Sequence, residues 1–325
     1  MRSERSTSLW FVVSVLALVV SSLLAVMYGV TRVSLNDLLT SSDARLVILE
    51  LRMPRVLFAV LVGGALASVG AVYQTIFRNP LASPFTLGVS SGAALGASLS
   101  LMASSAPLGV AGSAMLGALV SISLIMLISR RLGEAAGDSL LLVGVVFSFL
   151  CSSILTMLQY ISDYSQLFRV TRWMMGGVPA VNIVDLGVGV VLVGVFLVYV
   201  MTRHRDLDLV LFGDDVAAVK GVAVSPLYYT TFILSSLIVG WVVAQCGVIG
   251  FVGIVVPACA RLVVGLRHRV VVPLSFLLGA VLVVLCDLLG RIVRPPFEVP
   301  AGVFTSIVGG PVFILLVLLG YRRFR

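Results

Sequence analysis

Apolar residues in this chain fall into long uncharged runs separated by short polar or basic stretches. The runs are Leu9–Val30, Val56–Phe77, Leu87–Ala103, Val110–Ser129, Ser139–Tyr160, Val181–Met201, Tyr228–Gln245, Gly247–Gly265, Val272–Gly290 and Gly302–Gly320. About 20 apolar residues in a helix cross a hydrocarbon core of ~30 Å. Backbone amides in lipid need internal partners, so each run predicts a helix rather than an open strand. The expectation is an all-α integral membrane protein of about ten transmembrane helices, with 1–325 forming a single domain.

Two of these runs carry small residues at four-residue spacing: Gly63, Ala67 and Ala71 in one, Gly88, Gly92 and Gly96 in the next. Such series flatten one helix face and let backbones approach closely where no water drives association, so both helices are expected to be central. Between them Arg78-Asn79-Pro80 predicts the end of the first helix, and Ser83-Pro84 suits the N-cap and first position of the second.

Composition agrees with this reading: of 325 residues 60% are hydrophobic and only 11% charged, with a mean hydropathy of +1.16. Soluble domains average about 25% charged residues. The net charge of +8 would suggest nucleic acid in a soluble protein; here it marks loops facing anionic lipid, with no nucleic-acid partner. Most Lys and Arg residues fall on the side that holds both termini, which predicts a cytoplasmic N- and C-terminus. Arg32, Arg45, Arg52, Arg55, Arg169, Arg172, Arg291 and Arg294 fall on the other side and call for a separate reason; for Arg32 and Arg45 lipid-phosphate anchoring is enough. Leu9–Val30 exceeds a signal-peptide core of about 7–15 residues, so it reads as an uncleaved first span.

Chemistry of the usual catalytic kinds is missing from the sequence. There is no G-x-x-x-x-G-K-[ST] nucleotide loop, no Ser-His-Asp set and no paired His/Cys metal spacing, so neither enzyme activity nor a metal or cofactor is expected. Cys151, Cys246, Cys259 and Cys286 lie in apolar runs and read as small buried hydrophobes. His204 and His268 lie in basic internal turns and read as surface residues near lipid phosphate. Asp287 is the sole acid well inside a predicted span; with Arg291 four residues on, a helix-surface ion pair explains it. An ion-coupled carrier would need such groups at mid-membrane.

The longest internal loop, Arg203–Pro226, places Leu207, Leu209, Leu211 and Phe212 before Gly213-Asp214-Asp215, with Ala217, Ala218 and Val222 after. Gly213 permits a sharp bend between two short elements. The loop reads either as a solvated charge run or as an element that pushes a small apolar face into a partner.

Several motifs together resemble the permease subunits of ATP-binding-cassette importers for iron-siderophores, haem and vitamin B12 (the FecCD-like, type II importers). They are R-x-P-R at 52–55, G-A-L-A-x-x-G at 64–70, Gln74, R-N-P-L-A-x-P at 78–84 and L-G-x-x-x-G at 87–92. The series continues through the L-G-(D/E)-x-x-A-x-x-x-G-V pattern around Gly213. It ends with Gly250–Pro257, Arg261-Leu262, His268-Arg269, Pro273, Asp287–Arg291, Glu298–Gly302 and Gly310-Pro311. One departure is Ala258, where many members carry His.

The resemblance implies a homodimeric permease in the cytoplasmic (inner) membrane of a prokaryote. A separate ATPase subunit, which binds the ATP, would drive it, and an extracytoplasmic substrate-binding protein would feed it. Arg52, Arg55 and Arg291 would dock the binding protein. Asn79, Leu81, Gly137 and Asp138 would form the cytoplasmic gate. Leu211, Gly213, Asp214, Asp215, Ala218 and Gly221 would couple to the ATPase. Ser148, Ser152, Ser153, Thr156 and Gln159 would line the path, although hydroxyls at that spacing commonly bond their own helix. An iron chelate is the leading cargo, with vitamin B12 or an oxyanion such as molybdate or tungstate as alternatives; an ion-coupled secondary transporter is the rival class.

Overall fold

The computed structural model describes residues 4–29, 45–85, 87–103, 107–132 and 136–320. Arg2, Arg32, Gly133 and the terminal Arg322, Arg323 and Arg325 lie outside the described residues, as does most of the expected external segment after the first run. The helices are α1 (Glu4–Met27), α2 (Met53–Ile76), α3 (Val89–Met102), α4 (Gly109–Leu132), α5 (Ala136–Ile161), α6 (Tyr164–Met174) and α7 (Ile183–Thr202), followed by α8 (His204–Val210), α9 (Asp214–Val219), α10 (Val224–Cys246), α11 (Val252–Val264), α12 (His268–Ile292) and α13 (Ala301–Gly320). Among the described residues eight helices are long and apolar enough to cross a membrane. The shorter apolar α3 and α11 complete the expected set, and the described residues contain no strand.

The chain divides into two compact units: Met1–Ser68 with Gly176–Val193 and Ile249–Arg325, and Val69–Met175 with Gly194–Val248. In the first, α2 crosses α12 at a glycine pair. A Cβ on Gly63 would lie 2.2 Å from the Gly279 carbonyl oxygen, and one on Gly279 would lie 2.6 Å from the Ala67 Cβ. In the second unit α3 meets α4 in the same way: a Cβ on Gly117 would stand 2.2 Å from the Gly92 carbonyl oxygen, and one on Gly96 would stand 2.2 Å from that of Ser113. Both small-residue series therefore make direct backbone contact, the first with α12 and the second with α4. Dispersion between such closely fitted backbones replaces the hydrophobic drive that lipid does not supply.

Four local expectations are corrected. The chain before α2 is already helical at Arg45 and Leu46 and continues as a π-helical turn, Val47–Arg52, so Arg52 and Arg55 sit within helix rather than in an external loop. Ser83-Pro84 does not cap α3, which starts at Val89 behind Gly88 at φ 83; the Ser90 hydroxyl instead donates back to the Pro84 carbonyl at 3.2 Å. The run from Gly247 splits, because Gly247 at φ 68 ends α10 and α11 starts only after Phe251 at φ 65. His268 is buried at the start of α12 rather than exposed. The amphipathic α6 was not foreseen. Asp163 caps it by accepting from the Gln166 amide at 2.8 Å while the Gln166 side chain accepts from the Asp163 amide, a capping box. The Gln166 amide, and after it the Ser165 hydroxyl, donate to the Asp163 carboxylate and hold its pKa below the ordinary value.

Candidate functional site

Three arginines meet at one end of the first unit. Arg52 Nη1 donates to the carbonyls of Val26 and Met27, each at 3.0 Å. Arg291 Nη1 donates to that of Ala25 at 3.0 Å. These are among the last carbonyls of α1, which its own helix leaves without partners, and cations are favoured there. Arg291 Nε also lies 3.1 Å from Asp287 Oδ2, with both side chains almost fully enclosed. The foreseen pair is thus present, but buried rather than on a helix surface. Asp287 Oδ1 accepts from Arg55 Nη2 at 2.8 Å and Nε at 3.2 Å. Arg55 then reaches outward to Glu298 at 2.9 Å, whose side chain is 38% exposed. Of the three arginines expected to dock a partner, two face inward and brace the end of α1. Arg55, with Glu298, leads to the surface.

The second unit gathers residues that are far apart in sequence. α2 ends because Arg78 adopts φ 45, an unusual conformation for a residue with a side chain. The turn is fixed by Asn79, whose side-chain oxygen accepts the Leu81 amide at 2.9 Å, while the Ala82 amide donates to the Asn79 carbonyl. Leu81 is half exposed. Gly137, at the start of α5, lies against the same region: a Cβ there would stand 2.9 Å from Tyr228 Cε2 and 3.2 Å from the Ile76 carbonyl oxygen. Asp138 beside it is exposed.

Between α8 and α9, Gly213 takes φ 117, and α9 closes on Gly221 at φ 86. There the Val222 amide donates to the Ala217 carbonyl and the Gly221 amide to that of Ala218. This is the left-handed glycine stop of a short helix, so the two glycines of the loop motif bracket α9. Leu207, Val210 and Ala217 turn inward and are fully buried, whereas Phe212 is 75% and Val219 87% exposed. Asp215 and Ala218 are exposed and Leu211 half-buried.

Asp214 links these parts. Its Oδ1 accepts the Tyr228 hydroxyl at 2.6 Å, and its Oδ2 lies 3.5 Å from Arg78 Nη2. The turn after α2, the start of α5 and the loop before α9 therefore converge on Tyr228. Sequence reasoning used Tyr228 only to mark the start of a span, and Arg78 only as part of the turn that ends α2 and of the 78–84 motif. The one available signal was a tyrosine at the mouth of an apolar run that follows an acidic loop.

On α5, Ser148, Ser153 and Thr156 donate to carbonyls four residues back, at 3.0, 2.9 and 3.0 Å. Ser152, Ser153 and Thr156 are exposed, and Gln159 reaches the Met174 sulfur at 3.6 Å. The hydroxyl protons of Ser148, Ser153 and Thr156 are committed to their own helix.

The chain matches the FecCD transport family model over residues 17–319. It is 38% identical to the hemin transport system permease protein of Yersinia pestis, over 83% of this chain and 82% of that one. It is 36% identical to the Fe(3+) dicitrate transport system permease protein FecD of Escherichia coli, over 93% and 96%. With the vitamin B12 import system permease protein BtuC of Salmonella newport it shares 33%, over 99% and 98%. A solved inward-facing metal-chelate type ABC transporter superposes with a TM-score of 0.87 at 31% identity, covering 96% of this chain and 99% of that chain. The fold and these loops define a multi-pass permease of an ATP-binding-cassette importer, resident in the cytoplasmic membrane. The chain belongs to the FecCD transport family.

Proposed function

We propose that residues 1–325 act as one permease domain, and that two copies form the path by which an iron chelate, a siderophore complex or haem, enters the cell. A separate ATPase binds on the cytoplasmic side, where both termini lie, and a substrate-binding protein delivers cargo from outside. The observation that carries this reading is the α8–α9 loop: its inner face is buried while Phe212 and Val219 project into solvent. An exposed apolar knob on a rigid base suits a partner's groove. Asn79, Leu81, Gly137 and Asp138 form the gate, supported by their proximity to that loop through Tyr228. Binding-protein docking falls on the Arg55–Glu298 surface, with Arg52 and Arg291 holding it from beneath; a planar guanidinium suits a partner's carboxylate. The iron-chelate reading is supported by the hemin and ferric dicitrate relatives.

The test is uptake by the permease reconstituted with its ATPase and binding protein, using haem, ferric citrate and cobalamin in turn. Haem or ferric citrate uptake that needs ATP is expected; cobalamin alone would reassign the cargo. Gly213→Val forces a side chain into φ 117 and should lower ATP-driven uptake by about fivefold or more, the lower end of usual inter-site coupling. Uptake by the permease alone, driven by an ion gradient, would refute the ATP-driven reading.

A further inference from the structure

The acid that opens α9 faces two ways. One oxygen of Asp214 accepts a short bond from the Tyr228 hydroxyl, at 2.6 Å. The other lies 3.5 Å from Arg78 Nη2. Arg78 is the second residue after α2 and carries the left-handed backbone that starts the 78–84 turn. The phenol ring of Tyr228, at the root of α10, is fully buried and packs under Gly137 so closely that a methyl there would stand 2.9 Å from the ring. Gly213 adds no side chain between: a Cβ at that position would already approach Arg78 Nη1 to 3.8 Å.

We propose that Asp214 is the mechanical link between the partner-facing loop and the gate turn, with Arg78 and Tyr228 as the positioning residues it pulls on. The inference rests on the transport reading above and adds the residues that transmit motion. Three features support it. The Tyr228–Asp214 bond is charge-assisted and directional, and Arg78 is attracted to the same carboxylate as an ion pair at 3.5 Å, so a shift of α9 acts on both partners. Arg78 sits at a strained backbone position, where a small pull changes the course of the following residues. The buried tyrosine ring, wedged against Gly137, is a fixed pivot for the hydroxyl end. Neither Arg78 nor Tyr228 projects like Phe212, so removing its polar group leaves the apolar partner-facing knob intact.

The experiment reads the gate directly and needs no cargo. Leu81, half exposed in the turn, is changed to Cys in a chain whose four native cysteines are Ser. The transporter is assembled with its ATPase, and labelling by a membrane-impermeant maleimide is timed with and without ATP–vanadate. Nucleotide trapping should change the labelling rate by about fivefold or more, as for ordinary coupling between sites. Arg78→Gln and Tyr228→Phe should each bring that ratio close to one while ATP hydrolysis persists, and Asp214→Asn should bring the ratio close to one as well. Arg78→Gln with Asp214→Asn should be no worse than either alone, because both cut one connection, and Arg78→Lys should restore part of the ratio.

Full nucleotide-dependent labelling in Arg78→Gln and Asp214→Asn would overturn the link. So would loss of ATPase assembly in parallel with loss of the labelling change, which would mark a merely structural role. If the parent protein, with its native turn and loop, neither assembles with an ATPase nor responds to ATP, the transport reading itself falls.

Discussion

Replacing Asp287 with Asn tests the electrostatic logic of the first unit. The native carboxylate accepts from Arg55 at 2.8 and 3.2 Å and stands 3.1 Å from Arg291. Asp287 is 3% exposed and Arg291 4%, as side chains. Asn keeps the shape but leaves two enclosed guanidiniums without their shared counter-charge. Breaking a buried ion pair from one side costs ~3–5 kcal/mol, because the remaining charge stays desolvated. Glu298→Gln removes the other partner of Arg55, but at 38% exposure water replaces it, and such a pair is worth only ~0–1 kcal/mol. Thermal unfolding of the detergent-purified protein, followed by size-exclusion fluorescence, should therefore rank Asp287→Asn far below Glu298→Gln. The double variant Asp287→Leu/Arg291→Met should recover much of the loss, since an apolar pair of similar volume removes the desolvation penalty. It should not recover all of it, because the Arg291 bond to the Ala25 carbonyl is gone. A midpoint for Asp287→Asn equal to that of Glu298→Gln would refute the reasoning.

Two further outcomes are expected. Gly279→Leu puts a branched side chain where a Cβ alone would meet the Gly63 carbonyl oxygen at 2.3 Å; overpacking of this kind costs ~1–3 kcal/mol or more, so the yield of monodisperse protein should collapse, whereas Gly187→Leu, with open space around it, should be tolerated. A reporter placed within Gly133–Asp138, or after Arg325, should read as cytoplasmic; an external location for either would break the ten-span arrangement.

Span positions were legible because the bilayer imposes one strong rule: an uncharged run of sufficient length becomes a helix. That rule located every long helix to within a few residues. It failed where backbone detail competes with hydropathy. The glycine-rich stretch after Gln245 reads as continuous apolar chain, yet Gly247 and Phe251 both take positive φ and break it. The π-helical turn before α2 was hidden because Glu50 and Arg52 look like loop residues by charge alone. α6 escaped notice because its alternation of Arg, Gln and apolar residues over 11 positions is shorter than any span.

Site residues divided in the same manner. The loop glycines at 213 and 221 were readable, since a glycine that must bend the chain has few substitutes. Partners were not readable. Nothing in the spacing of Arg78, Asp214 and Tyr228 tells that they meet, and nothing in the positions of Arg52 and Arg291 at the ends of apolar runs tells that they turn inward to carbonyls of α1.

The placement of Asp287 also bears on how transport is energised. A carrier driven by protons or ions needs an ionisable group in mid-membrane that exchanges its partner during the cycle. Among the described residues Asp287 is the one buried acid, and it lies five residues from the end of α12. At 1.5 Å per residue that is about 7–8 Å from the helix terminus, out of ~37 Å of helix. It is held there by two arginines, one of which also closes α1. Loading such a group with a proton would leave two arginines without their shared counter-charge, a penalty met at every protonation. In the helix interiors the hydroxyls of Ser121 and Thr231 donate to their own helix carbonyls four residues back. The helices are therefore built as rigid bodies that pack through bare backbone, with charge kept to their ends. Force has to enter through an end as well. Asp214 lies at one such end, beside the loop whose Phe212 and Val219 stand in solvent.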